Sequence, residues 1–216
     1  MTRMLSKLMA ALTVVDEPVA ESKKNDSDKP LMIIGPSAVG KNTMINRLKR
    51  KYPNVINKLP SYKTRPIRSG KKDGVDYYFV TKEEFIRLKK KGELFGIQEY
   101  NNNWYASNKE RLEESLKNKN KITVLNYNIN TANEVRDKIP FNCMALLPPS
   151  EGALKERLIK RKTKAEEIEK RMECSIKEIQ MINEANYINY RMVNDKEDEA
   201  FNKLEKYLKE TYPQLH

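Results

Sequence analysis

The nine residues "GPSAVGKNT", Gly35 to Thr43, constrain this chain more than any other stretch. They follow "PLMIIG", a short apolar run that reads as a buried strand. They lead into "NTMINRLKRKY", where Met44, Ile45 and Leu48 share one face of a helix. Strand, glycine loop and helix supply the context that the pattern G-x-x-x-x-G-K requires. Gly35 and Gly40 let the backbone wrap around Pro36, Ser37, Ala38 and Val39, so that N–H groups point inward at an anion. The helix N-terminus adds a positive partial charge. Lys41 adds a full charge for the outer phosphates of a nucleotide. An ordinary glycine turn is the competing reading of the loop. The next position normally carries a hydroxyl that ligates Mg²⁺. Asn42 stands there instead, and Thr43 is one residue out of register. No residue stands out as a direct metal ligand. Asn42, with a longer and differently aimed carbonyl, is the one candidate. Magnesium would then rest mainly on the nucleotide's own phosphates and water.

The length of 216 residues fits one domain. No run of about 18 apolar residues occurs, which excludes a membrane-spanning helix. Cys143 and Cys174 match no metal or redox motif and are expected to be two buried thiols in a reducing compartment. The only histidine is His216, which argues against histidine-based chemistry. The net charge of +12 draws anions, and nucleotides, nucleic acid and acidic membranes all qualify. Much of it is diffuse lysine, as in "IRLKKKGE" and "LKNKNK", the ordinary mark of a solvated surface. No aromatic-basic platform is evident, so neither nucleic acid nor membrane is an expected partner.

Residues 1–30 read as an N-terminal extension. In "MTRMLSKLMAALTVV", Met4, Leu5, Leu8 and Leu12 recur at helical spacing beside Arg3 and Lys7, with no acid before Asp16. A mitochondrial presequence has that character, and a frayed or docked helix explains it equally. "DEPVAESKKNDSDKP" is a polar linker. The expected location is cytoplasmic or mitochondrial.

A second anion site is legible in "PSYKTRPIRSGKKDGVDYYFV". Arg65 and Arg68 flank Pro66 in an extended segment, and arginine forks clamp phosphate oxygens bidentately. Ser61 and Tyr77 add hydroxyl donors. "TKEEFIRLKK" then opens a helix with Thr81 as N-cap and Glu84 three residues on, a capping box. Arg157, Arg161 and Arg171 recur at four- and ten-residue spacings in a charged helical stretch. A solvated helix face explains any one of them. Together they also suit phosphoryl transfer, which needs alignment and positive charge where negative charge gathers.

In these stretches the chain resembles the guanylate kinase family. "GPSAVGK" is similar to the family's phosphate loop, and "SYKTRPIRSGKKDGVDYYFV" to its GMP-binding segment. "NNNWYASN", "LPPSEGALKERLIKRKTKAEEIEKRM" and "INYRMVND" resemble its later strand, lid and closing strand. The resemblance implies an α/β fold: a P-loop NTPase core with a parallel sheet flanked by helices, a small, mostly β NMP-binding subdomain and a helical lid. The domain would span residues 31–208, the subdomain about 60–110 and the lid about 150–172, leaving 209–216 as a tail. It implies transfer of the γ-phosphate of ATP to GMP with Mg²⁺, in a monomer. Lys41 and the lid-region Arg157, Arg161 and Arg171 would be catalytic. Residues 35–43 and Asn194 would bind ATP. Ser61, Arg65, Arg68, Tyr77, Tyr105 and Ser107 would bind GMP.

The chain also departs from the family pattern. Lys71 and Gly96 stand where glutamates are expected, and Asn126 and Asn128 where aspartates are expected. Guanine's edge offers donors, so each lost acceptor costs about 1–3 kcal/mol. GMP selectivity is expected to fall by about tenfold to a few hundredfold, with Gln98 a partial substitute on the same strand face. A glutamate placed at Gly96 is expected to tighten GMP. Background drift in a Lys- and Asn-rich chain explains Lys71 easily and the asparagines less well. Two readings follow: a guanylate kinase, slow or relaxed in base choice, or a catalytically impaired pseudokinase that holds nucleotide or a phosphorylated partner. The intact phosphate apparatus, Gly35, Gly40, Lys41 and three arginines, favours the enzyme.

Overall fold

Alternation along the strands builds a sheet that is apolar on both faces. In β1 (Leu31–Ile34), Leu31 and Ile33 enter one core while Met32 and Ile34 enter another. β8 (Asn142–Leu147) divides alike, with Met144 and Leu146 against Cys143, Ala145 and Leu147. Strands of that kind need helices on both sides, as in parallel sheets. The computed structural model describes residues 26–216 except Arg68, Ser69, Lys71, Asp76 and Asn101, and Tyr100 without its side chain. The amphipathic segment before Asp16, most of the linker, Arg68 and Lys71 lie outside the described residues.

With β2 (Ile56–Lys58), β7 (Ile122–Asn126) and β9 (Tyr190–Val193), these strands form a five-stranded sheet in the order β2-β7-β1-β8-β9. Every pairing in it is parallel. One face is covered by α1 (Lys41–Lys51), α5 (Glu151–Lys160) and α7 (Glu197–Thr211), through Met44, Ile45, Leu48, Leu154, Leu158, Phe201 and Leu204. The other is covered by α4 (Ile129–Val135) and α6 (Ala165–Glu184), through Ile129, Ala132, Val135, Ile179 and Ile182. This is the expected α/β core.

A second sheet, β4-β3-β6-β5, comprises β3 (Ser61–Lys63), β4 (Tyr77–Phe79), β5 (Leu94–Tyr100) and β6 (Asn103–Asn108). It has its own small core with α2 (Lys82–Lys90), built on Phe85, Leu88, Leu94 and Ala106. Thr81 caps α2 by accepting from Glu84 N at 3.1 Å. The reciprocal half of the capping box goes elsewhere: the Glu84 carboxylate takes Arg87 Nε and Nη2, each at 2.7 Å. β5 carries a bulge between Phe95 and Gln98, with Gly96 at φ +58°. α3 (Lys109–Lys117) follows β6.

Both ends of the described chain are tied to the core. α7 runs to Thr211, and Tyr212 is fully buried with Leu215 beside it, so the segment 209–216 is no loose tail. The Tyr212 hydroxyl accepts from Asn142 Nδ2 at 2.9 Å and donates to Lys29 O at 3.1 Å. Asn142 also clasps Asp26 through two backbone bonds, which docks the end of the linker. Of the cysteines, Cys143 is buried but Cys174 is exposed, because it falls on the outer face of α6. Among the described residues no helix is long and apolar enough to cross a membrane.

Candidate active site

The loop after β1 is tight enough to exclude side chains. Gly35 sits at φ +148°, and a Cβ there would lie 2.2 Å from Leu146 O. Gly40 sits at φ +111°, where a Cβ would meet Asn194 Nδ2 at 2.4 Å. Only glycine fits either position. Ala38 accepts φ +64° without being glycine, a sign of a backbone held by its surroundings. Helix α1 starts with no side-chain cap and no acid in its first turn. Its unsatisfied N–H groups and positive dipole end therefore face the hollow of the loop. The Lys41 ammonium folds back over it, donating to Gly35 O at 2.5 Å and Pro36 O at 3.0 Å. Burial pulls the Lys41 pKa down to about 8; Glu178 opposes that fall and Arg161 adds to it.

In front of this loop lies a cleft of about 520 Å³. Gly35, Ser37, Lys41 and Asn42 line one wall, and Tyr77 and Tyr105 of the second sheet, with Arg65 just after β3, line the other. Asn126, Tyr127 and Asn128, which follow on from β7, and Glu178 of α6 complete its lining. A smaller cavity of about 110 Å³ continues from it, reaching Ser61, Gly96 and Gln98. Ser107 is buried behind that cavity and bonded to the Tyr127 hydroxyl. Pro36, Ala38, Val39, Gly40 and Thr43 frame the loop without lining the cleft. Arg65, Tyr77 and Tyr105, expected from sequence at one anion site, thus face Lys41, expected at the other.

The asparagines that stand in place of a hydroxyl and two acids are organised. Asn126 Nδ2 donates to Asn42 Oδ1 at 2.9 Å. Asn128 caps α4, accepting from Thr131 N at 3.0 Å, and its side chain also bonds Glu178. Glu178 was not singled out by sequence reasoning. It lies two helical turns beyond Arg171, a spacing that puts both on one face of α6. Burial raises its pKa, against the pull of Lys41 and of the Asn128 hydrogen bond. Among the described residues no cluster of three or more His, Cys, Asp or Glu could hold a metal ion. With Asn42 Oδ1 already accepting, the donor set suits magnesium only where phosphates and water supply most of its oxygens.

The three arginines converge, but they are not equivalent. Arg157 reaches Val39 O at 3.2 Å, Asn194 O at 2.5 Å and Asp195 O at 3.3 Å, tying α5 to the loop. Arg171 pairs with Glu167 at 3.0 Å. Arg161 caps α5, and partial burial followed by the like charges of Arg171 and Arg157 holds its pKa below the usual value. Asn194 donates from Nδ2 to Val39 O at 2.8 Å, while its buried Oδ1 has no hydrogen-bond partner among the described residues.

The guanylate kinase family matches residues 27–211. A guanylate kinase of Oceanobacillus iheyensis is 34% identical over 180 residues, covering 82% of this chain and 85% of that protein. One from Schizosaccharomyces pombe is 33% identical over 179 residues, covering 82% and 88%. The crystal structure of guanylate kinase from Anaplasma phagocytophilum superposes with a TM-score of 0.63 at 26% identity, covering 88% of this chain and 87% of that one.

Proposed function

The chain belongs to the guanylate kinase family, and from that premise we propose that it transfers the γ-phosphate of ATP to GMP, giving ADP and GDP, through the cleft between its two sheets. The observation that carries this reading is one continuous cavity with a glycine loop and Lys41 on one wall and Arg65, Tyr77 and Tyr105 on the other. ATP would lay its β- and γ-phosphates on the loop N–H groups. Asn194 would lie near the adenine. The GMP phosphate would sit against Arg65, Tyr77 and Tyr105, with Arg68 as a further clamp and Ser61 and Ser107 toward the base.

Little covalent chemistry is asked of the protein. Two like-charged substrates must be held in line, and charge must be neutralised in a site closed to water. Lys41, Arg161 and Arg171 would supply that charge, and Arg157 would hold the lid helix α5 to the loop. Magnesium, when bound, would screen the phosphates, and Asn42 Oδ1 and the Glu178 carboxylate are among the cleft oxygens that its hydration shell could meet. The second sheet would act as the NMP subdomain and α5 with the start of α6 as the lid. Nucleotides are the proposed partners, a monomer the working state, and the cytoplasm or the mitochondrion the location.

A coupled assay with ATP, Mg²⁺ and each nucleoside monophosphate tests the reading. GMP-dependent ADP release that disappears in Lys41→Ala is the expected result. ATP binding without ADP release under any acceptor would overturn it.

A further inference from the structure

We propose that the base cavity reads its acceptor through the Gln98 amide, so that the enzyme uses IMP and GMP, the 6-oxopurine monophosphates, almost alike. The proposal rests on the kinase reading above and concerns its base specificity. Among the described residues no carboxylate lines the 110 Å³ cavity. Its polar groups are hydroxyls of Ser61, Tyr77, Tyr105 and Tyr127, the Lys58 ammonium, and the amides of Gln98 and Asn126. Glu99 is exposed and faces the larger cleft.

Gly96 cannot be exchanged simply for an acid. Its φ of +58° disfavours any side chain, and a Cβ would lie 2.8 Å from Thr131 Cγ2 and 3.6 Å from the Tyr127 ring. The bulge that sets this conformation is also what brings Gln98, two residues on, into the same cavity. Two of the other polar groups are committed. The Tyr127 hydroxyl bonds Ser107, and Asn126 donates to Asn42. The Gln98 amide makes no hydrogen bond to the described residues, so its donor and its acceptor can both turn to the base.

A carboxylate and a carboxamide read different parts of guanine. Two carboxylate oxygens match two donors, N1–H and the N2 amine. A carboxamide carries one acceptor and one donor, so it matches N1–H and O6. Hypoxanthine keeps N1–H and O6 and lacks only the N2 amine. A pocket that does not bond that amine leaves nothing unpaired when the amine is missing, so it has no large basis for discrimination.

The test is kcat/KM for GMP and for IMP in the wild type, Gln98→Glu and Gln98→Ala. The wild-type ratio should lie within about tenfold, and a wider preference for GMP overturns the proposal. Gln98→Glu should raise the GMP-to-IMP ratio at least fivefold, because a carboxylate rewards the second donor; an unchanged ratio overturns it. Gln98→Ala should lower both substrates by the same factor, and a selective loss of one overturns it. Absence of ADP release with every acceptor would defeat the kinase reading alone. The same ratios, read as Kd by calorimetry, then decide the base-reading proposal.

Discussion

Replacing Lys41 with methionine should stabilise the unliganded protein while ending phosphoryl transfer. The Lys41 ammonium is half-buried against the loop, with its pKa drawn from 10.5 to about 8. Its two bonds to Gly35 O and Pro36 O and the charge of Glu178 do not repay the loss of water. That difference amounts to about 3 kcal/mol of folding free energy at neutral pH. The sign follows from proton counting. Between pH 8 and 10.5 the unfolded chain keeps the Lys41 proton while the folded one has lost it. Wild-type stability therefore rises with pH across that window, and the deficit is fully present below it. Methionine fills nearly the same volume without the charge. Urea unfolding of both proteins without nucleotide should show the variant ahead by up to about 3 kcal/mol at pH 7, with the gap closing toward pH 10.5. A variant no more stable than the wild type at pH 7, or a gap that ignores pH, would refute the reasoning. The charge would be retained for function, since bound phosphates supply the partner that the empty loop lacks.

Three further outcomes follow from the same geometry. Gly96→Glu should not tighten GMP, contrary to the expectation from sequence; the positive φ and the Thr131 contact should lower stability by at least about 1–3 kcal/mol, and an unchanged urea midpoint would count against it. Asn42→Ser alone should not lower the Mg²⁺ needed for half-maximal rate, because it strands the Asn126 amide; Asn42→Ser with Asn126→Asp should lower it several-fold in a titration of rate against free Mg²⁺, and an equal gain from the single change would sever the two residues. Glu178→Gln removes the charge that raises the Lys41 pKa, so the alkaline limb of kcat/KM should move to lower pH; a limb that stays in place would show that Glu178 does not act through Lys41.

The glycine loop, the strand before it and the helix after it were legible because local rules decide them. Gly35, Gly40 and Lys41 answer to backbone sterics and charge within nine residues. The long order of motifs gave away the parallel core and the wall of Arg65, Tyr77 and Tyr105 opposite for a similar reason: each motif is a contiguous segment with its own pattern. Where the chain broke the pattern, contiguous reading failed. Gly96 looked like a deleted acceptor, and only the bulge and the packing of Thr131 and Tyr127 show a position with no room for one. Cys174 looked like a second buried thiol until the rotation of α6 turned it outward. Glu178 went unremarked because nothing beside it in the sequence marks a charged helical residue as facing Lys41.

The sequence by itself determined that this chain carries a loop suited to phosphate, because the conformations allowed to glycine and the charge of lysine and arginine are properties of the residues. The tertiary structure alone decided which side chains complete the site. The Asn42–Asn126 pair spans 84 residues, and the Asn194–Val39 bond spans 155. Such partners are chosen by how sheets and helices stack, and no periodicity along the chain encodes that choice.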